Sequence, residues 1–251
     1  MPLTVTIIAK NEADRIGAAV ASAAFADEVL VVESGSEDDT AGVARAAGAR
    51  VVQTDWPGHS AQKQRAAELA RHDWIFSLDA DERIDTQLAA ELAGHALAGP
   101  PWGCRVRRRT WWQGAEIRHG TWAPDRPVRL FHRGHARHVG PDPHDSVRVE
   151  GPLGELGGSI LHHPFRDVAE HLATIASYAR IFAAESRRAG RRARWLDLLL
   201  RPPAHLVKAL VLRQGLRDGA RGLCLAGLGS AAVLLKWTLL MLPPGEPREG
   251  S

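Results

Sequence analysis

Asp79, Asp81 and Glu82 stand side by side in WIFSLDADERID, residues 74–85, immediately after an apolar run. Carboxylates crowded at one spot raise one another's pKa unless positive charge sits among them. Asp-x-Asp in a turn after a buried strand suits a hard divalent cation, which takes oxygen ligands and is commonly shared with substrate phosphates. Asp85 lies nearer the helical pattern TQLAAELAGHAL and caps it, which leaves Asp79 and Asp81 for other work. Similar groups follow two earlier apolar runs: Asn11 and Glu12 after LTVTIIA, and Glu33, Ser34, Ser36, Asp38 and Asp39 around the end of EVLVVE. Helix capping is the better account of Ser36 or Asp38. Neither G-x-G-x-x-G after the first run nor G-x-x-x-x-G-K-[ST] anywhere is present. A phosphate ligand would therefore be held by metal and side chains rather than by a glycine-rich cradle.

These groups need a scaffold, and the first hundred residues supply one. LTVTIIA, EVLVVE, RVVQ and WIFSL read as strands, separated by helical patterns at ADRIGAAVASAA, DTAGVARAAG and SAQKQRAAELARH. Strands alternating with helices argue for βαβ units and a mostly parallel sheet, in which ligands bind beyond the carboxyl ends of the strands. From Gly99 to Pro164 the pattern breaks into short β-like pieces rich in Arg, Trp, His, Gly and Pro. Such pieces shape a binding surface or fill irregular β structure. From Asp167 onward the chain reads as helical, with Leu172, Ile175, Tyr178 and Phe182 on one face, a basic hinge at RRAGRRARW, and RPP separating a short apolar stretch from a further helix.

The formal charge of +3 hides an asymmetry. From Arg166 to the end there are fourteen Lys/Arg against seven Asp/Glu, a net of +7, so the rest carries −4. The basic third also holds the most apolar run, residues 223–242, and a span of about 20 residues just crosses a bilayer. Lys236 in its middle would cost roughly 2.5 to 3.5 kcal/mol there, which favours a buried or interfacial helix over a span. Cys104 and Cys224 make no metal or redox spacing, which favours a reducing cytoplasm. The N-terminus lacks the pattern of a signal peptide. His132, His135 and His138 repeat at a spacing that invites zinc, but the glycines in HRGHARHVGP oppose a helix gathering all three.

TIIAKNEADRI, VLVVESGSEDDT, SAQKQRAAELA and WIFSLDADERI, in that order, resemble family 2 glycosyltransferases of the GT-A fold. The closest likeness is to the bacterial group that adds a sugar to the lipopolysaccharide inner core, the β-1,4-glucosyltransferase type. GAEIRHGTWAPDRPVRLF, HDSVRVEG, ILHHPFRDVAEHL and GLRDGARGL extend the resemblance over nearly the whole chain. It implies an α/β, Rossmann-like sheet flanked by helices with a C-terminal helical extension: a nucleotide-sugar half at 1–98, an acceptor half of the same domain at 99–165, and a basic, membrane-associating extension at 166–251. It implies that Asp81 and Asp79 bind Mg²⁺ or Mn²⁺, Asp81 as the more direct ligand and Asp79 nearer the ribose or diphosphate. The cation arriving with the donor would then be the positive charge among the carboxylates. Asn11, Glu12, Glu33, Ser34 and Lys63 would serve the donor, with Glu33 standing where the family usually has Asp; an exposed helix lysine is the alternative for Lys63. Asp145, after His144, would be the general base, where Glu is commoner. Trp122, Asp125, Arg129 and His144 would face the acceptor; a surface ion pair and a core tryptophan are the alternatives for this region.

The implied activity is inverting transfer of a sugar, by default from UDP-glucose, to a lipid-linked saccharide at the cytoplasmic face of the bacterial inner membrane. The enzyme would be peripheral on anionic lipid, with no nucleic-acid partner. Two other readings compete. A sugar nucleotidyltransferase needs a glycine-rich basic loop that AKNEADRIG lacks, and a non-catalytic basic module on membrane or nucleic acid leaves the carboxylates without a purpose.

Overall fold

Every residue of Leu3–Ala9 (β1) is buried, so this strand is covered on both faces, as the centre of a parallel sheet requires. The computed structural model describes residues 2–94, 99–140 and 146–242. They fall into two units, Met1–Arg109 with Pro124–Pro164 and Thr110–Ala123 with Phe165–Ser251.

The first unit begins with β1, α1 (Ile16–Ser22), β2 (Glu28–Glu33), α2 (Thr40–Ala46), β3 (Arg50–Gln53), α3 (His59–Leu69) and β4 (Trp74–Asp79). Strands β2 and β4 flank β1 and β3 lies beyond β2, all parallel. Side chains alternate between two cores. Val5, Ile7 and Val31 join Ile16, Ala19, Val20 and Ala44 on the α1/α2 side. Ile8, Leu30, Val32 and Ile75 join Ala66 and Ala67 of α3 on the other. The strand order reverses between β1 and β4, and Ala9 pairs with Glu33 while Ile8 pairs with Asp79. The carboxyl ends of three strands thus lie level at a topological switch point.

Beyond β4 come β5 (Glu82–Ile84), α4 (Thr86–Gly94), β6 (Gly103–Trp112), β7 (Ala115–Ile117), β8 (Val128–His132), β9 (Ala136–Val139), β10 (Ser146–Val149) and β11 (Gly154–His162). The path across the large sheet is β3-β2-β1-β4-β8-β6-β11-β5, and β9 with β10 forms a separate two-stranded sheet. The sheet is mixed rather than mostly parallel: β4–β8, β6–β8 and β11–β5 pair antiparallel. A parallel pair needs a crossover of a dozen or more residues, usually helical, and the helical pattern ends with α4.

The second unit contains the β6–β7 hairpin from Thr110, a 3-10 turn at Gly120–Trp122, and α5 (Val168–Arg188), α6 (Trp195–Val207), a π-helical turn (Lys208–Leu212) and α7 (Gly219–Met241). One expectation fails here. Arg201–Pro202–Pro203 does not separate two elements; both prolines lie inside α6. The missing N–H groups strip donors from carbonyls one turn back, but φ near −65° suits a helix, and Ser230 of α7 binds the Pro202 carbonyl at 2.7 Å. In α5 the buried residues are His171, Ala179, Ala183 and Ser186, while Leu172 and Tyr178 are exposed. Small side chains let α5 approach α7, whose buried positions include Gly222 and Ala226.

Candidate functional site

The switch point gathers an ion network around Asp79. Lys63 of α3 places Nζ 2.9 Å from Asp79 Oδ1, and Arg129 of β8 donates to Asp79 Oδ2 at 2.9 Å. Lys63 is 8% exposed and Arg129 5%, so neither an exposed helix lysine nor a surface ion pair describes them. Arg129 also donates to Glu82 Oε1 at 2.5 Å, and Arg108 of β6 reaches the same oxygen at 3.2 Å. Glu82, with 0% exposure, in turn accepts from the Asp79 backbone N–H at 3.1 Å. Arg108 closes the chain by pairing with Asp125 at 2.6 Å. Burial pushes the Asp79 carboxyl upward, but Lys63 and Arg129 outweigh it and hold the group well below the ordinary carboxylate value. For Asp79 and Glu82 the positive charge therefore belongs to the chain itself, which corrects the expectation that an arriving cation supplies it.

Asp81 has a different neighbour. Strand β11 pairs with β5 so that His162 lies opposite Glu82, and its Nε2 comes within 3.5 Å of Asp81 Oδ2. Burial raises the Asp81 carboxyl; hydrogen bonding and charge from His162 outweigh this and leave it lowered. Arg15 holds Glu12 through two bonds, at 2.6 and 2.7 Å, and donates to the His163 carbonyl at 3.3 Å. An oxygen and an imidazole nitrogen at Asp81 and His162 are a donor pair that a divalent cation accepts. Among the described residues no three His, Cys, Asp or Glu side chains gather to hold a metal, so phosphate oxygens would have to complete its coordination.

The ends of β1 and β2 form the other wall. Asn11, at φ 57°, donates its N–H to Ser36 Oγ at 2.9 Å and accepts from the Glu37 N–H at 2.8 Å. Ser36 therefore ties the two loops together instead of capping α2, while Asp38 accepts from the Thr40 N–H at 3.1 Å. Glu33 is buried; that burial raises its carboxyl, but bonds from Ser36, Gln53 and Gly35 bring it below the ordinary value. Gln62, buried beside Lys63, reaches both Ser34 Oγ and Thr54 Oγ1 at 2.7 Å.

Trp122 belongs to the second unit, where its ring lies 6.1 Å from Phe165 and 5.5 Å from His171. His144 and Asp145 lie outside the described residues. His132 and His135 pack against Trp102 at 5.4 and 4.1 Å, and His138 meets Phe131 edge-on at 5.4 Å, which is ring packing rather than a zinc set.

The model of "Glycosyl transferase family 2" matches residues 4–140, which contain the three strand-end motifs and the α3 motif SAQKQRAAELA. The chain belongs to that family. This glycosyltransferase is also 32% identical over 94% of its length, and 90% of the relative's, to the lipopolysaccharide core biosynthesis glycosyltransferase LpsC of Rhizobium meliloti (strain 1021). An uncharacterized glycosyltransferase of Rickettsia felis is 45% identical over 34% of this chain and 31% of its own. Among solved structures, it is similar to glucosyl-3-phosphoglycerate synthase from Mycobacterium tuberculosis in complex with Mn²⁺, UDP and glucosyl-3-phosphoglycerate, at 26% identity over 45% of this chain and 44% of that one, with a TM-score of 0.34. The glycosyltransferase is of the lipopolysaccharide core type, with a GT-A α/β sheet and a C-terminal helical region.

Within it, sequence reasoning singled out both sides of the Lys63–Asp79–Arg129 contact but missed Glu82 as its base, Arg108 as the link to Asp125, and His162 beside Asp81. ILHHPF carries no local sign of the last of these; only the β5–β11 register creates it.

Proposed function

We propose that this enzyme transfers a hexose, with inversion, from a UDP-sugar to a hydroxyl of a lipid-linked saccharide in lipopolysaccharide core assembly. It would work as a peripheral protein on the cytoplasmic face of the inner membrane. The observation that carries the donor side is the clamping of Asp79 by Lys63 and Arg129 beside the Asp81–His162 pair, level with Asn11 and Glu33 at the switch point. The clamp keeps the Asp79 carboxylate ionised and fixed, ready to accept from a ribose hydroxyl. Lys63 would contact the donor phosphates. Asn11, Glu12, Glu33 and Ser34 frame the nucleoside. Asp81 and His162 would hold Mg²⁺ or Mn²⁺, which when bound neutralises the diphosphate leaving group as a Lewis acid. Asp145 takes the proton from the acceptor hydroxyl as it attacks the anomeric carbon, with His144, Trp122, Asp125 and Arg129 assigned to the acceptor side.

Calorimetric titration with UDP-, GDP- and ADP-sugars, with and without Mn²⁺, tests the donor half. Binding of the UDP class alone, dependent on Mn²⁺ and lost in Asp81→Asn, is expected. A folded protein that binds none of them would end the reading, and Mn²⁺-dependent binding that survives Asp81→Asn would remove the metal assignment.

A further inference from the structure

Helix α6 and the π-helical turn after it present an apolar stripe to the outside. Trp195, Leu199, Leu200, Val207, Val211 and Leu212 are exposed, Trp195 by 67% and Leu212 by 73%. The spacing 196, 200, 207, 211 keeps one helical face, Leu196 being exposed as well, with Leu199 on its shoulder and Trp195 beyond it at the start of the helix. Against this, α6 buries only Pro202 and the turn only Ala209 among their described side chains. Large apolar side chains concentrated on one outer face mark an interaction surface.

Charge indicates what meets it. Residues 191–221 contain eight Lys/Arg and two Asp/Glu. Both acids are engaged within the unit: Asp197 pairs with Arg201 at 2.6 Å and accepts from the Arg194 N–H at 2.8 Å, while Asp218 accepts from the N–H groups of Arg118 and His119 at 3.1 and 2.8 Å. The stripe is therefore bordered by unopposed positive charge. An apolar face with an aromatic anchor and a cationic border is the pattern of a helix lying in the interface of an anionic bilayer.

The residues 215–241 are long and apolar enough to cross a membrane by length and composition. The flanks of α7 are engaged, however. Trp237 packs on Phe182 at 5.7 Å, Ser230 binds Pro202, Lys236 lies over the Phe182 ring, and Arg187 of α5 donates to the Leu242 carbonyl at 3.2 Å. Charges within that bundle favour a helix lying on the surface over one crossing it.

We propose that α6 and the π-helical turn dock this enzyme onto anionic phospholipid, with Leu199, Leu200, Val207 and Val211 entering the headgroup boundary, Trp195 at its margin and the surrounding arginines meeting lipid phosphates. The surface deepens the lipid-linked acceptor reading, and rests on it only for its purpose, since docking requires neither donor nor turnover.

Flotation of the full chain with phosphatidylglycerol/phosphatidylethanolamine vesicles, beside phosphatidylcholine vesicles, tests it. The protein should float with the anionic vesicles only and be released by high salt. Leu199→Glu with Leu200→Glu should weaken flotation by about tenfold or more while UDP-sugar binding by calorimetry is unchanged. Arg213→Glu with Arg217→Glu, at exposed positions, should do the same through charge alone. Brominated lipid should quench tryptophan emission less in Trp195→Phe. Equal binding to both vesicle types, undiminished flotation of the folded variants, or retention through salt and carbonate washing would overturn the proposal, the last by showing that α7 spans. A dimer in solution abolished by the leucine changes, with no vesicle binding, would also overturn it, assigning the stripe to a second copy. Vesicle binding without donor binding would leave this surface standing and remove the donor reading.

Discussion

Glu82 has no exposed surface, yet it touches the guanidinium groups of Arg129 and Arg108 and the Asp79 N–H, so neutralising it leaves Arg129 with Asp79 and Arg108 with Asp125 as their remaining carboxylate partners. Breaking a buried ion pair by removing one partner costs about 3–5 kcal/mol, because the remaining charge stays buried without compensation. Asp125, at the outer end of the same network, is a third exposed, and pairs of that kind contribute at most about 1 kcal/mol. Urea unfolding should therefore show Glu82→Gln losing up to about 3–5 kcal/mol and Asp125→Asn about 1 or less; equal losses would mean that the network is not anchored at Glu82. Apolar residues would fill this space at lower desolvation cost, so the network is better explained by the need to hold the Asp79 carboxylate in one place. The sequence shows Asp79 and Asp81 plainly, because their spacing after an apolar run is local. It does not show what faces them. Lys63, Arg129 and His162 come from α3, β8 and β11, and only the strand registers bring them together.

At the scale of elements, the site depends on how closely α4 sits on β11. A Cβ at Gly158 would lie 2.3 Å from the Leu88 backbone N and 2.4 Å from its Cα, so the helix would have to move. The same junction carries the α4 cap: Asp85 accepts from the Leu88 N–H at 2.8 Å and the Ser159 N–H at 3.0 Å, and Glu91 accepts from the Gly157 N–H at 2.9 Å. Because β11 pairs with β5, a displaced β11 also displaces His162 from Asp81. Gly158→Ala should lower stability by about 1–3 kcal/mol and weaken Mn²⁺-dependent donor binding. Gly227→Ala, in α7 with open space where its Cβ would go, should be neutral or gain about 0.5–1 kcal/mol. Calorimetric melting of the two variants decides; a Gly158→Ala protein as stable as the parent would remove the close approach as a determinant. Strands β1 to β4 are legible because apolar runs bounded by helical patterns carry their own signal. The antiparallel half is less so, since a β-like piece rich in Arg and Trp such as GCRVRRRTWW marks a strand without naming its neighbour. The α5 packing positions are not legible for a related reason: periodicity picks out large side chains, whereas close helix contact selects small ones such as Ala179 and Ala183.

Across the whole molecule, acid should act on the two units differently, because their perturbed groups differ. In the second unit the buried imidazole of His171 and the partly buried one of His205 are held below the ordinary value of 6.5, chiefly by burial, so the folded form resists protonation. The unfolded chain then binds more protons as soon as pH drops below 6.5, and stability falls until the lowered folded values are passed. The first unit shares this phase through His132 and His163, both lowered chiefly by burial. It adds a second phase. The carboxyls of Glu28, Glu33, Asp79 and Asp81 lie below their ordinary values, 4.5 for Glu and 3.8 for Asp, despite burial that pushes them upward. Each contributes stability that is complete above the unfolded value and disappears as pH falls through the folded one. In the second unit the lowered carboxyl is that of Asp197, which is held by Arg201 and the Arg194 N–H in water-exposed surroundings where such bonds contribute little. Hydrogen exchange followed by mass spectrometry over descending pH, corrected for intrinsic rates, should therefore show both units losing protection below 6.5. Below 4.5 the loss should continue steeply in β1, β2 and β4 and flatten in α5 and α7. Parallel loss in both units down to the most acid condition would mean that the carboxylate network around Asp79 does not set the acid limit of the first unit. Loss confined to the acid range in both would instead remove the neutral buried histidines from the account.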